Sequence, residues 1–140
     1  MFRLGPKKGP LEDAWIGVQR LEACLARLVG RLGGPDSVPG RAAVSLFGPS
    51  FFRLRSRIEE ERRNLTRIGI SSRKSTVDIL GEFYAFELAI GALPGSLSPP
   101  LPAKVMKEVL SASSKLGATL KRTQEVATRQ RATERFREQH

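Results

Sequence analysis

Six arginines fall between positions 53 and 67: Arg53, Arg55, Arg57, Arg62, Arg63 and Arg67. Each guanidinium is a planar fork of donors that meets a phosphate or carboxylate through two parallel hydrogen bonds. Lys would solvate a surface equally well, yet this stretch contains none. Glu59, Glu60 and Glu61 offset part of the charge, and Glu59 with Arg63 has the spacing of a helical ion pair. The chemistry on offer is anion recognition, and phosphate contact is preferred over a merely solvated face. A second series, Lys104, Lys115, Arg122 and Arg129, is separated by gaps of 11, 7 and 7 residues. Those gaps nearly match whole helical turns, so the four form one ridge on a helix. The ridge suits either a phosphate backbone or a salt-bridge set with acidic residues of a neighbouring helix, and both readings stay open. Arg73 and Lys74 lie in a hydroxyl-rich loop, 71–76, before a helix start whose free N–H groups favour a phosphate oxygen. Taken alone, that loop reads first as a polar cap. Arg3, Lys7 and Lys8 form a basic arm able to track a nucleic-acid backbone, with a frayed terminus as the alternative.

These cations are sorted along the chain. The net charge is +10 over 140 residues, yet residues 75–101 contain no Lys or Arg and three acids, Asp78, Glu82 and Glu87. A chain that gathers positive charge on some elements and clears it from another is expected to present a basic surface to a polyanion, most commonly nucleic acid. Other chemistries find little support. His140 is the only histidine and Cys24 the only cysteine, so neither an internal disulfide nor a His/Cys zinc site is expected. No phosphate-binding glycine loop and no nucleophile–base pair is present, so no catalysis and no cofactor are expected. Nine aromatic side chains are too few for a platform of stacked bases. No apolar run approaches the roughly 20 residues of a membrane span, and Met1 to Pro10 lacks the apolar stretch of a secretory signal. Asn64 is the single asparagine and Arg outnumbers Lys, a bias shared by thermophiles and GC-rich genomes.

The elements that must carry these residues are helical. No stretch alternates with period two over a strand's length, and Gly/Pro punctuation divides the chain into about four helices, over 11–33, 49–69, 75–93 and 103–138. In the first, Leu11, Ala14, Val18, Leu21, Leu25, Leu28 and Leu32 recur at steps of three and four, an a/d seam. Residues 35–48 read as a Pro/Gly linker with a short apolar patch. The second helix carries Arg53, Arg57, Arg63 and Arg67 opposite its apolar side, with Arg55 and Arg62 flanking it. The third is apolar on nearly all sides and is expected to be buried over most of its surface. Residues 94–102 read as a stiff proline connector to a long C-terminal helix whose last turns project past the bundle. The expected architecture is all-α, a basic arm over 1–10 and one helical domain over 11–140. The proline connectors favour an extended arrangement interlocked with other subunits. Trp15, Leu21, Leu25, Leu28, Phe83 and Phe136 are the candidate subunit-interface residues. Cys24 reads as a buried small hydrophobe. Ser111, Ser113, Ser114, Gly117 and Ala118 read as a site of close helix packing.

With Arg53 to Arg67, Lys104 to Arg129, the basic arm at Arg3–Lys8 and the low amide content in view, the chain resembles the helical coat proteins of filamentous and rod-shaped archaeal viruses. The resemblance is architectural and no residue role is carried over from it. It implies interlocked subunits, homo- or hetero-oligomeric, that wrap DNA within a virion. The primary expectation is a structural protein that coats duplex DNA, favoured over RNA, through Arg/Lys–phosphate contacts without base readout. A basic helical subunit of a large ribonucleoprotein such as a ribosome, cytoplasmic or organellar, is the first alternative. A helical protein–protein adaptor whose arginine face meets acidic partners is the second.

Overall fold

The computed structural model describes residues 10–68, 73–97 and 101–139, and every element among them is a helix. They are α1 (Pro10–Arg31), α2 (Val38–Ile68), α3 (Arg73–Ser96) and α4 (Ala103–Gln139). The basic arm at Arg3, Lys7 and Lys8 and loop residues 69–72 lie outside the described residues.

α1 starts at Pro10, with Glu12 and Asp13 in its first turn at the positive end of the helix dipole. All seven seam residues from Leu11 to Leu32 are buried, Leu21 and Leu28 completely. The helix closes on paired hydrogen bonds from Gly34 N–H to the Val29 carbonyl (2.9 Å) and from Gly33 N–H to the Gly30 carbonyl (3.1 Å). Gly33 and Gly34 take φ of 109° and 97°, a region open to glycine at little cost. Ser37 then caps α2: its Oγ accepts from Gly40 N–H at 3.0 Å and donates to the Gly34 carbonyl at 2.7 Å. The elbow is tight enough that a Cβ on Gly40 would sit 1.9 Å from the Gly34 carbonyl oxygen.

α2 therefore starts at Val38, eleven residues before the start expected at Pro49. The expected linker over 35–48 is mostly helix. Pro39 falls in the first turn, where backbone N–H groups lack helical partners anyway. Pro49 lies inside the helix, a position that costs about 3 kcal/mol. Burial of Ala43 and Phe47 on one side of it, and of Phe51 and Leu54 on the other, offsets that cost. α3 likewise continues through Pro94 for a last turn, past the end expected at Leu93.

Residue pairings fix the topology. Arg62 meets Glu12 and Arg55 meets Glu22, so α1 and α2 are antiparallel. Arg57 meets Asp78 and Arg53 meets Glu82, so α2 and α3 are too. Gly17 approaches Leu116 while Arg27 meets Glu108, which sets α4 antiparallel to α1. The result is an up-down bundle in which α1 packs on α2 and α4, and α3 packs on α2 and α4. The four helices form a closed ring within one chain, in place of the extended arrangement expected from the proline connectors. Phe83, Phe86, Leu54, Ile58, Leu116 and Leu120 fill its centre, with the Phe51 and Phe86 rings 5.7 Å apart. Close packing at the α4 small-residue patch is seen at Gly117, whose absent Cβ leaves room for the Phe83 ring.

The ring also corrects the expected subunit interface. Leu21, Leu25, Leu28 and Phe83 are core residues of their own chain. Trp15 is half-buried within it, and the side chain of Phe136 lies outside the described residues.

Gly40→Ala separates packing from propensity. Helix propensity alone predicts a gain of about 1 kcal/mol. The carbonyl that a Cβ would meet belongs to a fixed turn, so the expected outcome is a loss of roughly 1–3 kcal/mol, read as a lower urea midpoint at unchanged slope.

Candidate nucleic-acid interface

The closed ring decides which cations are free. α2 runs between α1 and α3, and its arginines meet carboxylates on both neighbours. On the α3 side, Arg53 Nε donates to Glu82 Oε2 at 3.0 Å, and Arg57 bridges Glu82 (3.3 Å) and Asp78 (3.8 Å). On the α1 side, Arg62 forms a forked pair with Glu12 at 2.9 and 3.2 Å, and Arg55 reaches Glu22 at 3.3 Å. The Arg62 and Arg55 guanidiniums also lie 4.7 and 5.8 Å from the centroid of the Trp15 ring, within cation–π range. Arg53 and Arg57, expected to contact phosphate, are thus turned to acids of the same chain. Of the α3 acids that could have partnered the α4 ridge, Asp78 and Glu82 serve α2 instead.

Arg63 and Arg67 form no ion pair among the described residues, and Arg67 donates to Asn64 Oδ1 at 3.2 Å. The shallow cleft they share also holds Arg62, Glu12, Glu59 and Glu60, three cations against three acids. That balance makes it a weak anion site. Arg73 and Lys74 occupy the first turn of α3 and Arg129 lies late in α4, all with side chains outside the described ones.

The α1/α4 groove is different. Lys104, Lys115 and Arg122 line one wall together with Lys107, and Arg20 and Arg27 line the other. Six cations face two acids, Asp13 and Glu108, around a volume of about 1060 Å³. Among the described residues the groove has one ion pair, Arg27 to Glu108 at 3.2 Å. Arg20, Lys104, Lys107, Lys115 and Arg122 have no carboxylate partner there. The floor is Gly17, Ala23, Ser111 and Ala112, with the buried Cys24 sulfur accepting from Arg27 Nη2 at 3.3 Å. Gly17 lets the helices close: a Cβ there would stand 3.2 Å from Leu116 Cδ1. From Lys104 to Arg122 the groove runs about 27 Å along the α4 axis.

Three α4 cations were thus legible as a ridge before the fold was known. Arg20, Arg27 and Lys107 were not singled out. A signal existed for two of them: Arg20 and Arg27 lie seven residues apart and flank the α1 seam on the side that packs on α4. Which neighbour that side meets is decided by topology, which the periodicity of one helix does not contain.

Comparison with protein-family models, with curated proteins and with solved structures finds no match. The functional reading therefore rests on this geometry. Among the described residues, no helix is long and apolar enough to cross a membrane.

Trp15 reports on the α1–α2 contacts because it is the only tryptophan. Arg62→Ala removes both the nearer cation over the ring and the forked pair with Glu12. The expected outcome is a red-shifted emission maximum with about 1 kcal/mol of lost stability, since the pair is only partly exposed. An unchanged spectrum would show that Arg62 does not cover the ring in solution.

Proposed function

We propose that this chain is a structural nucleic-acid-binding protein that coats duplex DNA without reading its sequence, as a nucleoprotein or coat subunit. The observation that carries the reading is the α1/α4 groove, with six cations, two acids and, among the described residues, one internal ion pair. A groove of about 27 Å matches roughly eight base pairs of duplex axis, along which one phosphate recurs every ~1.7 Å. Each Lys or Arg set against a phosphate releases condensed counterions, so affinity comes from charge and steepens with salt. The groove sets cations around small side chains and hydroxyls, a composition that supports contact with the sugar–phosphate backbone. The resemblance to archaeal virus coat proteins agrees with this reading and adds a proposed setting, the virion.

A second reading gains from the fold. The ring closes within one chain, so the core needs no interlocked partner to be complete. A self-sufficient basic bundle suits a ribonucleoprotein subunit that docks on folded RNA. The adaptor reading loses ground, because it drew on the α2 arginine face, and four of those six arginines meet acids of their own chain.

The test is a salt titration of binding to long duplex DNA and to duplex RNA. The coat reading expects a steep, sequence-independent fall of log K with log salt. Replacing Lys104, Lys115 and Arg122 together by Gln is expected to flatten the DNA slope by roughly 0.9 per cation removed. Replacing Arg53 and Arg57 by Gln is expected to change it much less. Equal losses per cation from both sets would show that binding follows overall charge and not the groove. Tight binding confined to one folded RNA would favour the ribonucleoprotein reading, and no binding at low salt would sink both.

A further inference from the structure

The third helix is apolar on nearly all sides, yet the bundle covers only part of it. Its inner side, Ile79, Phe83, Phe86, Ile90 and Leu93, is buried. Its outer side is open: Val77 and Tyr84 are each 46% exposed and Leu88 78%. With three glycines these residues form a seam, 77, 81, 84, 88, 91 and 95, at alternating steps of four and three. Those are a and d positions of a helix–helix contact. Gly81, Gly91 and Gly95 have nothing within 4 Å of where a Cβ would stand, so packing within the chain does not account for them. Gly81 and Gly91 each cost about 1 kcal/mol relative to Ala in a helix interior, while Gly95 lies in the last turn, where glycine is common. Close approach of another helix backbone would explain the two interior glycines.

We propose that this face of α3 packs against the same face of a second copy of the chain, antiparallel and two-fold symmetric. Two observations select a second copy. The first is charge. Each chain carries +10, and α3 has no Lys or Arg from Ser75 onwards. Its acids Asp78 and Glu82 are paired with Arg57 and Arg53 of the same chain, leaving Glu87 at the flank of the seam. Two such copies repel least where neither presents a cation. The second is order along the seam. A two-fold axis at position 86 sets Val77 opposite Gly95, Gly81 opposite Gly91, and Tyr84 opposite Leu88. Each pair occurs twice, as an isologous contact requires. Bulky residues meet at the centre, and glycines admit close backbones on either side. Leu110 of α4, 50% exposed, extends the apolar surface; it lies two turns from Gly117 on the side that faces α3.

The inference stands apart from the nucleic-acid reading, because it is tested on the full chain alone. Sedimentation equilibrium over a range of protein concentration and salt is expected to show a monomer–dimer equilibrium that tightens as salt rises. Screening weakens the repulsion between like-charged copies while leaving apolar burial intact. Leu88→Arg and Tyr84→Arg are each expected to raise the dissociation constant by about tenfold or more, with unchanged circular dichroism because both sites are exposed. Phe52→Arg, at a 67% exposed site on α2, is the control and leaves the equilibrium unchanged. A chain that stays monomeric at every concentration and salt overturns the proposal. So does a dimer indifferent to Leu88→Arg, or one that salt dissociates.

Discussion

Ten excess positive charges on a bundle of this size repel one another, and the way the fold distributes that repulsion determines most of what its surface can do. α2 carries the densest arginines and is placed between the two helices that present aligned carboxylates. Glu12 and Glu22 of α1 meet Arg62 and Arg55, while Asp78 and Glu82 of α3 meet Arg57 and Arg53. Each pair is partly exposed, so solvent screens it and it contributes on the order of 1 kcal/mol. Together they matter less for stability than for where charge is left over. α4 is adjacent to α1 and α3, whose acids mostly face α2 or are few, so Lys104, Lys107 and Lys115 have no carboxylate partner among the described residues and line a groove.

Small residues turn that excess into a concave site. Gly17 on α1 and Gly117 on α4 each remove a Cβ at a helix crossing, one against Leu116 and one against Phe83. α4 is drawn inward on both sides, and Leu116 and Leu120 are buried almost completely. The long cationic side chains beside them are left at the rim, where their stems cover apolar surface and their heads stay in water. Core packing and the position of the groove are therefore consequences of the same crossings.

The helical class, the α1 seam and the ridge of Lys104, Lys115 and Arg122 were legible because each depends on spacing within one element. The start of α2 was not. Pro39, Gly40, Gly48 and Pro49 all read as punctuation, and only tertiary burial of Ala43 and Phe47 keeps the helix intact through them. The α1 seam was legible as a seam, but its heptad spacing is shared by oligomeric coiled coils and by single-chain bundles. What distinguishes the two is whether other helices of the same chain are available to cover it. The partners of the α2 arginines were not legible for a related reason. Phosphate and carboxylate offer a guanidinium the same geometry, so the choice between them depends on which helix lies alongside.

α3 shows the complementary case, in which composition and fold disagree in an informative way. Its residues suit a helix covered on every side, and among the described residues only α2 and α4 pack against it. The uncovered part is also the part without cations. An apolar, cation-free face on an otherwise basic protein is costly to leave in water and unsuited to a polyanion. Joining two copies there would bury it and leave both α1/α4 grooves outside the contact, since α1 lies across the ring from α3. A phosphate backbone would then meet two grooves held by one rigid unit, and binding at the first would raise the effective concentration at the second. Coating and self-association would be coupled through α4, which borders both surfaces. Salt would act on them in opposite directions, weakening the basic contacts while favouring the apolar one.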